Sequence, residues 1–283
     1  MALKFKRHES FRIRDGWVEK ALNTISENDG INIFSKNEGV AYLGVGSNMV
    51  KSIKYWLTAM KLIQDRNNTL TDRAKMLLKY DPYLDLRFSW WFLHYCLVEN
   101  NEDAPVFNSA FNDFSEKTVS KSMMVDRMAE KFGKEESINV DSLTADVNVL
   151  FQSYTTDKSD KNTNPEDNMA CPLAALKLVR KDSSDTYTKL IPNYASLDYR
   201  MVYYSWTCAF ESDSFSIEDA MVQKNGPGKV FNLDKTLLLS YLNDMKNAEL
   251  VDINRTAGLN MIYFRKRLCI EELFEDYLEK KDE

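Results

Sequence analysis

A pair of glycines followed by a long helical stripe is the feature of this sequence that most restricts its fold. A short apolar segment, Val40 to Leu43, runs into Gly44 and Gly46. Ser47 then occupies the position expected of a helix N-cap, where its hydroxyl would accept a backbone N–H. Apolar side chains recur behind it at helical spacing, namely Val50, Ile53, Trp56, Leu57 and Met60. A short helix, a glycine turn and a longer capped helix are the layout of a helix-turn-helix.

The second helix of this unit is expected to turn polar side chains away from the apolar stripe. The side chains expected to face outward are Asn48, Lys51, Ser52, Lys54 and Tyr55. Because hydroxyl, amide and ammonium groups suit phosphates and base edges, this pattern predicts contact with DNA. The alternative is a tight helix–helix corner in an all-α core, where glycine permits close approach. A phosphate-binding P-loop is disfavoured, because that motif needs a glycine directly before the lysine and Val50 stands there.

Charge is distributed unevenly along the chain. The whole sequence is acidic, with a net charge of −6, which argues against a general nucleic-acid binder. Residues 1–80, however, hold 14 Lys and Arg against 8 Asp and Glu, leaving 23 basic and 35 acidic residues in the remainder. Such asymmetry is expected for a basic binding face on an acidic body. Chance clustering on solvated helices is the alternative.

Composition favours a mainly α protein. Apolar residues make up 44% and aromatic residues 12% of the chain, whereas there are only 9 glycines and 6 prolines. No apolar run is long enough to span a membrane, and the N-terminus has no secretory h-region, so we expect a cytoplasmic protein. The four cysteines, Cys96, Cys171, Cys208 and Cys269, lie far apart and form no Cys-x-x-Cys pair. They predict reduced thiols rather than a zinc or dithiol redox site.

The pattern of helices and turns predicts two domains. Residues 1–154 are expected to form a helical DNA-binding domain with the helix-turn-helix. Within it, Asp81 and Pro82 are expected to start a helix whose aromatic segment makes it central and buried. Residues 155–168 are polar throughout and predict a mobile connection. Residues 169–283 are expected to be helical and to end in a winged-helix-like unit with a small β-hairpin. The basic residues of that unit are interspersed with Asp234, Asp244 and Glu249, so DNA and protein contacts both remain open for it.

His8, Glu9, Arg12, Arg14 and Asp15 form the densest polar cluster near the N-terminus. Histidine, carboxylate and guanidinium groups can act as base, metal ligand and phosphate clamp. Only one other histidine exists, His94, and its aromatic surroundings predict a core position. His8, Glu9 and Arg14 are therefore the catalytic candidates. The alternative is that His8 and Glu9 only shape the entry to a helix that runs from residue 9 to residue 27.

Two N-terminal motifs make the chain resemble a known bacterial family. The first contains Phe5, His8, Glu9, Phe11, Arg14, Gly16, Trp17 and Lys20, and the second contains Leu43, Gly44, Val45, Gly46, Asn48, Met49, Val50, Ser52, Ile53 and Trp56. The likeness continues to Thr256–Leu259 and spans nearly the whole sequence. The family is one of unknown function, found in DNA phosphorothioation operons, and it includes the nicking subunit of the Ssp antiphage system. Ser47 departs from the basic residue expected at its position.

This resemblance implies a DNA-acting protein that nicks a strand so that sulfur can replace a phosphate oxygen. Its implied partners are DNA, a cysteine desulfurase, an ATPase and an ATP-pyrophosphatase-like sulfurtransferase. The expected DNA contacts are Arg12, Arg14, Lys20, Ser47, Asn48, Lys51, Ser52, Lys54 and Tyr55. No carboxylate spacing identifies metal ligands, so Mg²⁺ or Mn²⁺ and a metal-independent site both remain open. A non-enzymatic adaptor, a transcriptional regulator and a homodimeric assembly are the remaining alternatives.

Overall fold

The computed structural model describes residues 3, 5–28, 31–35, 38–134, 137–156, 171–256 and 259–282. The chain is mainly helical, with two small antiparallel sheets, as its composition predicts. It divides into two compact units, Met1–Leu190 and Ile191–Glu283. The expected mobile connection, 155–168, falls almost entirely outside the described residues, so its role as a domain boundary stays a prediction. Within the described ranges, no helix combines the length and apolar composition needed to cross a bilayer.

The first unit consists of helices around a small three-stranded sheet. Its helices are α1 (Trp17–Glu27), α2 (Glu38–Leu43), α3 (Ser47–Ala59), α4 (Asp72–Tyr80), α5 (Arg87–Glu99), α6 (Pro105–Asn112), α7 (Lys121–Gly133) and α8 (Val140–Tyr154), followed by a 3₁₀ helix, Pro172–Leu176. Its strands are β1 (Thr118–Ser120), β2 (Val179–Lys181) and β3 (Thr186–Lys189), in the sheet order β1-β3-β2. These strands of three and four residues are too short to produce a recognisable alternating pattern in the sequence.

Helix α5 is the buried centre of this unit, as its all-round apolar sequence predicts. Ten of its thirteen residues are buried, His94 among them. The helix begins at Arg87, so the expectation of a start at Asp81 and Pro82 is wrong. The Asp81 carboxylate instead closes a turn, in which it accepts hydrogen bonds from the backbone N–H groups of Asp85 and Leu86, each at 3.0 Å, and from the Ser89 hydroxyl. A side chain engaged in this way competes with helix formation.

Helix α1 begins at Trp17 rather than at residue 9. The preceding segment cannot be helical, because Lys6, Glu9 and Ser10 have φ values of 58°, 50° and 64°, which lie outside the right-handed helical region. Gly16, at φ 79°, is the N-cap of α1. The nonhelical segment is fixed by long-range bonds: Asp146 accepts the Lys6 backbone N–H at 2.8 Å.

The second unit packs helices on a second antiparallel sheet. Its elements are α9 (Tyr199–Ala209), β4 (Ser214–Ser216), α10 (Ile217–Val222), α11 (Pro227–Val230), α12 (Lys235–Asn247), β5 (Val251–Thr256), β6 (Leu259–Phe264) and α13 (Ile270–Asp282), with the sheet order β4-β6-β5. The expected hairpin of β5 and β6 is confirmed, although residues 257 and 258 at its turn lie outside the described residues. Ser216 and Asp219 form a reciprocal capping box at the start of α10.

Candidate functional site

Helices α2 and α3 meet at a close corner built on three glycines. A Cβ on Gly39 would lie 2.5 Å from a Val50 methyl carbon, so only glycine permits this approach. Gly44 has φ +66°, and Gly46 is the N-cap of α3, without a side-chain capping bond. Ser47 is the first residue of α3, so the expectation that Ser47 caps the helix is wrong. The first turn of α3 therefore presents backbone N–H groups that no capping side chain satisfies.

The outward face of α3 is narrower than the sequence predicts. Ser47, Asn48 and Lys51 are exposed and Lys54 is half-buried, in agreement with the expected outward positions. Ser52 and Tyr55 are buried, so their expected outward placement is wrong. These two positions are three residues apart and share a face of the helix. Tyr55 lies edge-on against the buried His8 ring, with the ring centroids 5.5 Å apart.

The three lysines at this corner keep most of their charge available. Lys51 Nζ lies 3.6 Å from Glu9 Oε1 and 3.2 Å from Asn48 Oδ1, yet 62% of its side chain is exposed. Ion pairs as exposed as this one contribute little. For Lys20, which is exposed, and Lys54, no described carboxylate lies within ion-pair distance. The corner can therefore attract an anion without first breaking a strong internal pair.

A cleft of about 890 Å³ opens between α1 and this corner. Its polar or charged lining residues are Arg14, Asp15, Glu19, Lys20 and Asn23, and its other lining residues are Gly16, Trp17, Val40, Leu43, Gly44, Val45, Gly46, Met49, Ile53 and Tyr83. The cleft thus brings together Arg14 and Lys20 from the expected site, with the glycine turn beside them. Its volume is in the range of about 300–1,000 Å³ that small-molecule sites occupy.

The cationic groups of the cleft are held in different ways. A Cβ built on Gly44 would lie 3.3 Å from Lys20 Nζ, so the ammonium lies directly beside the glycine turn. The Arg14 side chain is buried, and its guanidinium carbon lies 5.7 Å and 5.4 Å from the ring centroids of Phe11 and Trp17. Such cation–π packing fixes the orientation of Arg14. Lys20, by contrast, is exposed.

Glu19 is a functional candidate that the sequence reasoning missed. Burial raises the pKa of its carboxyl group, and the charges of Asp15, Asp85 and Asp81 raise this pKa further. A carboxyl group with a raised pKa in a cleft is suited to exchange a proton. The signal available in the sequence was the presence of two carboxylates, Asp15 and Glu19, four positions apart at the start of α1.

His8 is placed differently from an exposed catalytic imidazole. Its side chain is fully buried, its Nε2 lies 2.7 Å from Asp146 Oδ1, and its Nδ1 accepts the Ser10 backbone N–H at 3.0 Å. Because Nδ1 accepts a bond, Nε2 is the nitrogen that donates to the carboxylate. Both ring nitrogens are thus engaged inside the fold. The arrangement holds the nonhelical segment before α1 and leaves His8 without a group to offer a substrate.

The remaining candidates of the N-terminal cluster do not converge on His8. Glu9 is half-buried and faces Lys51. Arg12 is also half-buried and is not among the residues that line the cleft. Burial raises the pKa of the Cys171 thiol to about 12, while the nearby charge of Arg12 lowers it. In the described part of the chain, no three His, Cys, Asp or Glu side chains lie close enough to hold a metal ion.

A family model described as "Protein of unknown function (DUF4007)" matches residues 5–281. The chain belongs to this DUF4007 family. Two solved structures are similar to it, a crystal structure of magnesium ion-bound SspB and a crystal structure of SspB, with TM-scores of 0.81 and 0.80. Each is 23% identical, over 98% of this chain and 87% of SspB. This likeness shows a shared fold. No curated protein matches the chain.

Proposed function

We propose that this DUF4007 protein is the DNA-binding and DNA-nicking component of a bacterial DNA phosphorothioation system. The fold shared with SspB supports the proposal, and so does the resemblance of its motifs to a family of phosphorothioation operons. Under this proposal its partners are DNA, a cysteine desulfurase, an ATPase and an ATP-pyrophosphatase-like sulfurtransferase, and it works in the cytoplasm.

The observation that carries the DNA assignment is the set of lysines around the α2–α3 corner. Lys20 and Lys54 have no carboxylate partner among the described residues, and Lys51 is largely exposed. We propose that these three lysines, with Asn48 and Ser47, contact phosphates as a helix-turn-helix does. Ser52 and Tyr55 are left out of this interface because they are buried. Arg14 contributes through the cleft rather than through α3.

For the nicking step, we propose that the cleft holds the scissile phosphate. Hydrolysis requires a water oxygen to bond to phosphorus while one phosphorus–oxygen ester bond breaks. The water proton must pass to a base, and the departing sugar oxygen takes up a proton from solvent. We propose that Glu19 is the base that accepts the water proton. Lys20 and Arg14 would offset the negative charge that develops on the phosphate oxygens. His8 has no part in this step, because Asp146 and the Ser10 N–H occupy its nitrogens.

A magnesium ion is present in one of the SspB structures, so a metal must be considered for this chain too. The described residues do not supply a matching set of donors, because no three His, Cys, Asp or Glu side chains come together there. Asp81 in particular already accepts three hydrogen bonds. We therefore assign no step to a metal, and Mg²⁺ and Mn²⁺ enter the proposal as conditions of the assay.

We propose that the second unit is a winged-helix-like module used for protein contacts. The succession α10, α12, β5 and β6, with the sheet order β4-β6-β5, supports this assignment. Two of its basic side chains are paired with carboxylates of the same unit. Lys235 pairs with Glu218 at 2.8 Å, and Arg265 donates two hydrogen bonds to Asp252, each at 2.8 Å. These carboxylates reduce the positive charge that Lys235 and Arg265 offer to a polyanion.

Nicking of supercoiled plasmid by the purified protein tests this proposal. The reaction is run with chelator, with Mg²⁺ and with Mn²⁺, and binding of the same DNA is measured in parallel. We expect nicking that is lost in Glu19→Gln and Lys20→Ala and retained in the control Lys235→Ala. DNA binding without nicking under any condition would make the chain an adaptor. Binding confined to one operator sequence would indicate a regulator, and absence of DNA binding would contradict the proposal.

A further inference from the structure

The apolar lining of the cleft is more than phosphate binding requires. Its walls include Trp17, Val40, Leu43, Met49, Ile53 and Tyr83. A site for a DNA backbone needs cations and N–H donors, and its apolar content adds nothing to that recognition. A cleft of about 890 Å³ with an apolar wall and Lys20 at the glycine turn fits a ligand that is part flat ring and part anion. A nucleotide has this composition.

Tyr83 is the most conspicuous aromatic side chain of the cleft. It is 68% exposed, and it shares the cleft with Val40, which is 42% exposed. Isolated exposed apolar residues are ordinary, but two of them lining one concave site are consistent with a binding surface.

The turn that carries Tyr83 is rigidly built. The Asp81 carboxylate accepts the backbone N–H groups of Asp85 and Leu86, and the Asp81 carbonyl accepts the Leu84 N–H at 3.1 Å. Asn23 of α1 donates its side-chain amide to the Pro82 carbonyl at 3.0 Å, which ties the turn to the cleft wall. An exposed ring on a fixed turn loses little conformational freedom when another ring stacks on it.

Resting on the proposed DNA function, we propose that the cleft receives an unstacked nucleotide of single-stranded or locally opened DNA. The base stacks on Tyr83 and enters between the apolar side chains, and the adjoining phosphate lies at Lys20 beside Gly44. A base within an intact duplex cannot reach the cleft, because both of its faces are covered by neighbouring bases. Aromatic side chains beside a cationic groove are how proteins hold single strands without reading their sequence.

Affinity measurements on three forms of one DNA sequence test this inference. The forms are a fully paired duplex, the same duplex with a central unpaired bubble, and the single strand, each labelled for fluorescence anisotropy. We expect the unmodified protein to bind the bubble and the single strand about 5- to 30-fold more tightly than the paired duplex. Tyr83→Ala is expected to remove this preference, and Tyr83→Phe is expected to keep it.

The matched control is Tyr263→Ala, which removes an exposed tyrosine from β6 of the second unit and is expected to keep the preference. Equal affinities of the unmodified protein for all three forms would overturn the inference and leave the proposed function intact. A preference for the bubble and the single strand that persists in Tyr83→Ala would likewise overturn the inference and leave the proposed function intact. Absence of binding to every form would instead overturn the proposed function itself.

Discussion

The two units of the molecule each carry a short helix followed by a long amphipathic helix, but the cations beside these helices differ in their partners. At the α2–α3 corner, Lys20 and Lys54 have no described carboxylate partner, and Lys51 has one weak contact. In the second unit, Lys235 pairs with Glu218, and Arg265 pairs with Asp252. Element order alone therefore does not identify a DNA-binding surface.

The difference lies in which interactions each cation must lose before it can bind a phosphate. A lysine without a partner loses only hydration and some side-chain freedom, whereas a paired arginine must also give up its own carboxylate. Arg267 shows the extreme case. Its guanidinium donates to the carbonyls of Thr207, Phe210, Glu211 and Ser212, and its guanidinium carbon lies 4.5 Å from the Phe264 ring centroid. This cation holds the fold of the second unit.

Charge reversal at the first corner is expected to have the largest effect. Lys51→Glu combined with Lys54→Glu should weaken DNA binding about 100-fold at 0.1 M salt, because two phosphate contacts become repulsions. Electrophoretic retention of a short duplex measures the loss. Since Lys51 is exposed and Lys54 is half-buried, the thermal unfolding midpoint should stay within about 2 °C of the parent. Unchanged DNA retention would rule out α3 as the docking element.

Removal of the Arg267 side chain should act on stability instead. We expect Arg267→Ala to lower the free energy of unfolding by about 2 kcal/mol, because several carbonyls lose a charged donor. Urea denaturation measures the change, and Lys266→Ala is the neighbouring control, expected to be neutral. Any loss of DNA affinity in folded Arg267→Ala protein would show that the second unit also binds DNA.

Glu19→Gln should have a smaller effect, which depends on pH, on the thermal unfolding midpoint. The pKa of Glu19 is raised in the folded state, so the folded chain holds this proton more tightly than the unfolded chain. The stability contribution of Glu19 therefore falls as pH rises from its ordinary pKa of 4.5 through the raised value. Glu19→Gln should raise the thermal midpoint at pH 7 but not at pH 4. DNA affinity at pH 7 should rise about 3-fold, since a negative charge leaves the cleft. A midpoint gain that is equal at both pH values would contradict this account.

The smallest effect is expected from charge reversal in the second unit. Lys235→Glu combined with Arg265→Glu should change DNA affinity less than about 2-fold, because these cations already face carboxylates. The same duplex and salt are used as for the first corner, so the two double variants are directly comparable. A loss approaching that of Lys51→Glu with Lys54→Glu would remove the distinction between the units.

The sequence predicted the helices whose apolar residues recur at regular helical spacing. It did not predict the side-chain positions that define the cleft. The stripe from Val50 to Met60 specified α3, and the apolar run after Arg87 specified buried α5. The sequence could not show that Ser52 and Tyr55 are buried. Which side of an amphipathic helix is buried depends on the segment packed against it, and here that is the nonhelical segment around His8. That segment is held by Asp146, a residue 138 positions away.

The sequence also could not predict sites that form from residues far apart along the chain. Tyr83 faces the cleft because Asp81 closes a turn that resembles a helix start in the sequence. Glu19 gains its raised pKa from burial and from Asp85 and Asp81, which lie more than sixty residues along the chain. The short strands β1 to β4 were missed because three or four residues carry no measurable period.

The most direct test of the central claim is the salt dependence of DNA affinity. Binding of one duplex is measured between 50 and 300 mM salt for the unmodified protein and for both double variants, as in established counterion-release measurements. Loss of phosphate contacts at Lys51 and Lys54 should reduce the slope of log affinity against log salt by about two, while Lys235→Glu with Arg265→Glu should leave it unchanged. Equal slopes for all three proteins would contradict the assignment of DNA binding to the α2–α3 corner.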